Sequence, residues 1–356
     1  MKKHYIAGIS LFLCFLAGFF YFCWIRRYPI LEMPDAADQK DSLIIYSCER
    51  ESLLDAAIPL FEEKYGISVY TVTAESKELL KMISQESNGV PQADLLLGGS
   101  LTDLNEQKSL FLPYVSFNDK YLLAPYRNTC GFATNYVLHG NCLAVNQTLA
   151  GRYGEIKSYS DLLRPEFYGE IALADPAVSS SGFEQLVNIL DTHGGYQSDE
   201  AWELVKELLY QAPRGIYENT ADVYQRIASG RSMIGLSRED SCAQLIQEGA
   251  DLKLIYPEEG TLFTPRTVAI LRNCSHAEYA KHFVDFLTGK DMQDILGTLL
   301  TSRPVRRDAQ TSLFLPDIDS IPVIQADPDD FDAHREEILM HYERIRREAE
   351  NYEPGN

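Results

Sequence analysis

Small hydroxyl residues and a glycine at the start of a helix can turn several backbone N–H groups toward one anion. The run Asp175-Pro176-Ala177-Val178-Ser179-Ser180-Ser181-Gly182 has that composition, which puts Ser180, Ser181 and Gly182 among the candidate ligand-binding residues. Ser47 and Ser100 each follow an apolar strand run just ahead of a helical one, and Thr220 sits at the same kind of junction. A hydroxyl there serves a solute or caps its own helix, and the sequence leaves both open. Ser237-Arg238-Glu239-Asp240 follows another strand run, and its Arg238 suits either a ligand anion or an ion pair with the acids beside it. These are groups for holding a solute rather than transforming one. An enzyme would need a nucleophile with its base, a metal cluster or a phosphate loop, and GxSxG, HExxH and Walker patterns do not occur. The seven histidines are scattered, and His139 and His193, each followed by glycine, read as turn or helix-end residues. No CxxC pair occurs and no His stands at ligand spacing from a cysteine, so neither a metal site nor a cofactor is expected.

Bringing such residues to one edge requires strands that end together. Leu43, Ile44, Ile45 and Tyr46 predict a strand over 42–47, and Leu53, Leu54, Ala57, Ile58 and Phe61 share one face of the helix that follows. A strand over 68–73, a helix over 77–84 and a strand over 93–97 complete a βαβαβ rhythm, which implies a largely parallel α/β sheet. A second series follows, with strands near 170–174, 215–217, 233–236, 252–256 and 267–271 and helices near 183–190, 201–209, 223–229, 276–287 and 292–300. In such sheets ligands bind beyond the carboxyl ends of the strands, where the residues above fall. The charged segment from Phe331 to Tyr352 carries Ile338, Leu339, Tyr342 and Ile345 at helical spacing and predicts a closing helix.

The 356 residues suffice for two domains, and 52 acidic against 32 basic residues give a net charge of -20, which argues against a nucleic-acid partner. Lys2 and Lys3 precede an uninterrupted apolar stretch from Tyr5 to Trp24, closed by Arg26 and Arg27. Its length spans a bilayer core, and no small-residue cleavage site follows, so residues 1–27 read as an uncleaved transmembrane anchor rather than a signal peptide. Residues 28–40, with Pro29 and Pro34, read as a linker. Positive charge on both flanks leaves the orientation open. Of seven cysteines, five lie outside the anchor, and buried thiols or a Cys130–Cys142 bridge are both open readings.

Four segments together resemble the type 2 periplasmic binding proteins, in the branch of iron(III)-, phosphonate- and sugar-phosphate-binding proteins. They are Gly169 to Pro176 with Ser179 to Gly182, Met233 to Asp240, Tyr256 to Thr261, and Ser302 to Arg306. The resemblance covers nearly all of the body. It implies two α/β lobes joined by two crossing segments, with 41–126 plus 260–356 in one lobe and 127–259 in the other, and solute in the cleft between them. It also implies that Glu239 and Asp240 accept hydrogen bonds from ligand hydroxyls, and it puts Glu258 and Glu259 on a crossing segment with Glu259 as the cleft-facing acid. The implied protein is the extracytoplasmic binding component of an ABC transporter, at the outer face of the cytoplasmic membrane and served by a permease and an ATPase. Its solute would be a small anionic or polyhydroxylated compound of the sugar-phosphate or phosphonate class. An iron(III) carrier and a membrane-tethered sensing partner of a receptor kinase are the alternatives. Iron-binding relatives present adjacent tyrosines, whereas the 21 tyrosines here include no Tyr-Tyr pair, which leaves Glu239, Asp240 and Glu259 as oxygen donors and ranks iron lower.

Overall fold

The computed structural model describes residues 42–86, 91–324 and 328–350. Strands β1 (Ser42–Ser47), β2 (Ser68–Thr73) and β3 (Leu95–Leu97) alternate with helices α1 (Glu51–Tyr65) and α2 (Ser76–Gln85), followed by α3 (Leu101–Glu106). Then come β4 (Ala133–Asn146), α4 (Gln147–Ala150), β5 (Ile171–Ala174), α5 (Ser180–Thr192), α6 (Asp199–Gln211), β6 (Ile216–Tyr217), α7 (Thr220–Ala228) and β7 (Ile234–Arg238). The chain continues through α8 (Glu239–Gln247), β8 (Leu252–Ile255), β9 (Thr261–Ile270), α9 (Ala277–Leu287), α10 (Lys290–Thr298), β10 (Arg303–Pro304) and β11 (Val323–Ile324). It closes with α11 (Pro328–Ala333) and α12 (Arg335–Glu350).

The strands follow the order β2-β1-β3-β9-β4-β7-β5-β6, with β8 and β10 also on β4 and β11 on β9. The expected parallel pairing is found toward the ends, where β1 pairs with β3 and β5 with β6 and β7, and in the short β11 on β9. The middle of the sheet is antiparallel, because β9 returns against β3 and β4. β4 is the element that the sequence did not announce. Its first part pairs with β9 and its last with β7 and β8, so one strand of 14 residues, all buried, runs through both halves of the molecule. β9, expected only from residue 267, begins at Thr261 and keeps Pro265 within the ladder opposite Leu138. The architecture is thus two α/β halves joined by β4 and β9.

Each half has its own core. In the first, β1 and β3 turn Leu43, Ile45, Leu95 and Leu97 onto α1 and α9, where Phe61 meets Phe283 edge-on at 5.0 Å. In the second, Leu143, Ile171 and Ile234 pack on Phe183, Leu186, Leu204 and Leu208. The apolar stripe of α12, Ile338, Tyr342 and Ile345, buries into this second core against α6. The helix expected with the first lobe under 260–356 therefore packs on the second. The spacing of its apolar residues fixed which face is buried, but the spacing does not choose the surface that receives it.

The apolar stretch at residues 5–24 lies outside the described residues, and no described helix is long and apolar enough to cross a membrane. All five described cysteines are free thiols, so Cys130 and Cys142 are not bridged: Cys142 is buried in β4, while the Cys130 thiol donates to Ala133 O at 3.7 Å.

Candidate solute cleft

The ends of β1 and β7 approach each other from the two halves, with β4 and β9 passing beneath. Gly140 permits this. A Cβ there would lie 2.4 Å from the Phe263 ring and 2.8 Å from the Glu239 carboxyl carbon, so only glycine lets β9 and the start of α8 close on β4. Buried amides fix α5 alongside. Gln185 donates to Asn141 Oδ1 at 2.9 Å and to Ser237 O, Asn188 donates to Gly260 O at 3.0 Å, and Leu262 N donates to Asn188 Oδ1 at 2.6 Å. These bonds hold the helix on the crossing strands, although the Gln185 amide oxygen itself is buried without a partner.

Three arginines meet at this junction. Asp240 accepts from Arg50 Nη2 at 2.5 Å, across the two halves, and from Arg238 at 2.8 and 3.2 Å. Arg266 on β9 donates to Glu49 Oε1 at 3.0 Å. The Asp240 side chain is fully buried, whereas that of Arg50 is 47% exposed. Burial pushes the Asp240 carboxyl up, but the charges of Arg238 and Arg50 outweigh it and hold the group well below the usual carboxylate range. His139, expected in a turn, instead lies inside β4 opposite Thr264, where burial and then Arg238 keep its imidazole neutral. Glu184 on α5 faces Arg238 and Arg266, and burial nevertheless raises its carboxyl. Three guanidinium groups against Asp240 and Glu49 leave one positive charge before Glu184 is counted.

Around this cluster the remaining candidates take distinct places. Ser181 Oγ meets Thr220 Oγ1 at 2.5 Å, joining the starts of α5 and α7, while Ser180 is exposed. Tyr224, one turn beyond Thr220, senses the charges of Arg50 and Asp240, which sets α7 at the same junction. Gly182 packs rather than binds: its missing Cβ would stand 2.8 Å from the carbonyl oxygen of Ala174. Ser47 is buried and accepts from Glu49 N at 3.1 Å, turning the chain toward α1. Ser100 caps α3 by accepting from Asp103 N at 3.1 Å. Asp175 is held by Arg346 of α12 at 2.6 Å. A cavity of about 240 Å³ opens between Leu101 of α3, Val187 of α5 and Thr264 of β9, so both halves contribute to it.

Glu239 and Glu259 stand apart from Asp240. Both oxygens of Glu239 accept from Arg303 at 2.8 Å, one also accepts from Tyr256 Oη at 2.6 Å, and the side chain is fully buried. Glu259 Oε1 accepts from Tyr159 N at 2.9 Å in the second half. The three acids ranked as iron ligands thus have separate partners, and no group of three or more His, Cys, Asp or Glu among the described residues is placed to hold an ion. Sequence reasoning missed Arg50, Arg266, His139 and Glu184. Arg50 and Arg238 carried a signal, as charged residues directly after strand runs; Arg266 and Glu184 lay inside expected loop and helix.

Residues 44–298 match the family model described as bacterial extracellular solute-binding protein, and the chain belongs to that family. It is a solute-binding protein with the two-lobed fold of type 2 periplasmic binding proteins, extracytoplasmic and without an enzyme's role. A spermidine/putrescine-binding periplasmic protein of Salmonella typhimurium is 24% identical over 268 residues, covering 72% of this chain and 75% of its own length. The fructose-6-phosphate-bound periplasmic protein AfuA of Actinobacillus pleuropneumoniae superposes with a TM-score of 0.71 at 22% identity, over 86% of this chain and 98% of that one. Iron-bound HitA of Pseudomonas aeruginosa also gives 0.71, at 20% identity, over 85% and 99%.

Proposed function

We propose that this chain is the binding component of an ABC transporter and that its cleft takes a small anionic solute of the sugar-phosphate or phosphonate class. The convergence of Arg50, Arg238 and Arg266 on the junction of the two halves carries the reading. Guanidinium forks suit phosphate-type oxygens, and helix starts at Ser181 and Thr220 add N–H donors beside them. Solute contacts from both halves favour the closed state, which a permease and its ATPase then recognise. On this reading residues 1–27 hold the protein at the outer face of the membrane. A polyamine, the ligand named for the Salmonella relative, would bring positive charge to three arginines, and like charges in a partly buried site cost affinity.

The test is a thermal-shift series on the full chain in mild detergent with fructose 6-phosphate, a phosphonate, inorganic phosphate, ferric citrate and spermidine. A bound solute at a hundredfold excess over its dissociation constant stabilises the protein by about 2.7 kcal/mol. A shift with the phosphate or phosphonate compounds is expected. A shift with spermidine or ferric citrate alone overturns the proposal.

A further inference from the structure

Two cysteines come to one spot in the second half. Cys142 of β4 stands directly opposite Ser237 of β7 in an antiparallel ladder, so their side chains leave the same face of the sheet. On that face the thiol of Cys242, the fourth residue of α8, donates to Ser237 Oγ at 3.4 Å, and α8 itself packs on β4. Both sulfurs lie buried in one small core with Ala144, Ala172, Val223 and Leu252. Burial, and then the neighbouring Cys242 thiol, pushes the Cys142 thiol well above its ordinary pKa, so in the folded chain it stays protonated and inert. Cys48, Cys130 and Cys274 pack elsewhere, against the core of the first half that holds Tyr46 and Leu96.

We infer that Cys142 and Cys242 join in a disulfide when the chain folds in an oxidising compartment, stapling the crossing strand β4 to the start of α8. A protein that folds outside the cytoplasm meets such conditions before its core is closed. The step is thiol–disulfide exchange with a donor disulfide. The thiolate of one cysteine attacks the donor and releases half of it as a thiol, and the second cysteine then displaces the other half. The donor leaves as two thiols, carrying the two protons and two electrons that the cysteines give up. Once the core has closed neither sulfur is exposed, so the exchange belongs to folding and the finished bond is shielded from reductants. It closes a loop of roughly a hundred residues, and the freedom this removes from the unfolded chain should raise Tm by about 3–7 °C. It also holds α8, the helix that opens with Glu239 and Asp240, on β4 whether the halves are open or closed.

The experiment refolds the full chain from urea in detergent, either with glutathione and its disulfide or with dithiothreitol, and then alkylates the thiols in denaturant before peptide mass spectrometry. After glutathione, the peptides carrying Cys142 and Cys242 should appear as one linked species, two hydrogens lighter than their sum, while Cys48, Cys130 and Cys274 are alkylated. After dithiothreitol all five should be alkylated. Tm should be higher after glutathione in the wild type, and that difference should vanish in Cys142→Ala and in Cys242→Ala. Because it is read within each variant, a thiol that merely fills the core does not move it. If a variant does not fold, the linked peptide of the wild type carries the test. Alkylation of both Cys142 and Cys242 after glutathione, a link from either to another cysteine, or a Tm difference that survives both substitutions overturns the inference.

Discussion

Glu239 and Arg303 form a bidentate pair with side chains 0% and 3% exposed, and Tyr256 adds a third donor to the carboxylate. A pair so buried reveals its role by what happens when half of it is removed. Arg303→Met leaves a carboxylate in the interior with only the tyrosine hydroxyl, and an uncompensated buried charge costs about 3–5 kcal/mol. Unfolding entropy of ~2.1 cal/mol/K per residue over roughly 300 residues converts that to a fall in Tm of about 5–8 °C. Glu239→Leu should cost a similar amount by stranding the guanidinium. The double variant should be no worse than either single one, because an apolar pair needs no charge compensation. Calorimetry and urea unfolding of all four proteins measure the cycle. The reasoning fails if Arg303→Met melts with the wild type, or if Glu239→Leu abolishes solute binding with its Tm unchanged, since Glu239 would then be a ligand group and not an internal strut.

Other consequences follow from the same geometry. Gly182→Ala puts a methyl group against the carbonyl oxygen of Ala174 and should cost about 1–3 kcal/mol, read as a lower urea midpoint. Tyr342→Ala should destabilise by about 3 kcal/mol and speed amide exchange in Leu204–Leu208 of the second half, leaving Leu43–Ile45 of the first unaffected. His139 stays neutral in the folded protein, whereas the unfolded chain takes up its proton below about pH 6.5; stability is therefore full above that value and falls by about 1.4 kcal/mol per pH unit below it. His139→Gln should flatten the change in urea midpoint between pH 7.5 and 5.5; an unchanged slope would assign the effect to other groups. Arg50→Ala removes the exposed guanidinium that joins the two halves, and the lobes should open, giving a larger radius of gyration in solution scattering without solute.

Local pattern was enough for much of this protein. Local pattern located β1, β2, α1 and α2 nearly residue for residue: α1 and α2 bury one face and expose the other, whereas β1, buried throughout, showed as a short continuous apolar run. The same periodicity marked the buried stripe of α12. β4 stayed hidden because it lies inside the molecule on both faces, so nothing alternates, and polar residues such as Asn141 suit a buried strand only once a partner far along the chain, here Gln185, satisfies them. The site divided along the same line. Its location at strand ends and helix starts was readable, since chain direction alone sends Ser181, Thr220, Arg238 and Asp240 to one edge. Which charges meet there was not. Arg50 reaches Asp240 across 190 positions, Arg266 takes Glu49 across 217, and Arg303 claims Glu239 across 64, leaving Glu184 without a partner among the described residues. Adjacent in sequence, Glu239 and Asp240 looked alike. A strand turning into a helix aims successive side chains in different directions, and only the folded chain decides that one faces the cleft arginines and the other a buried strut.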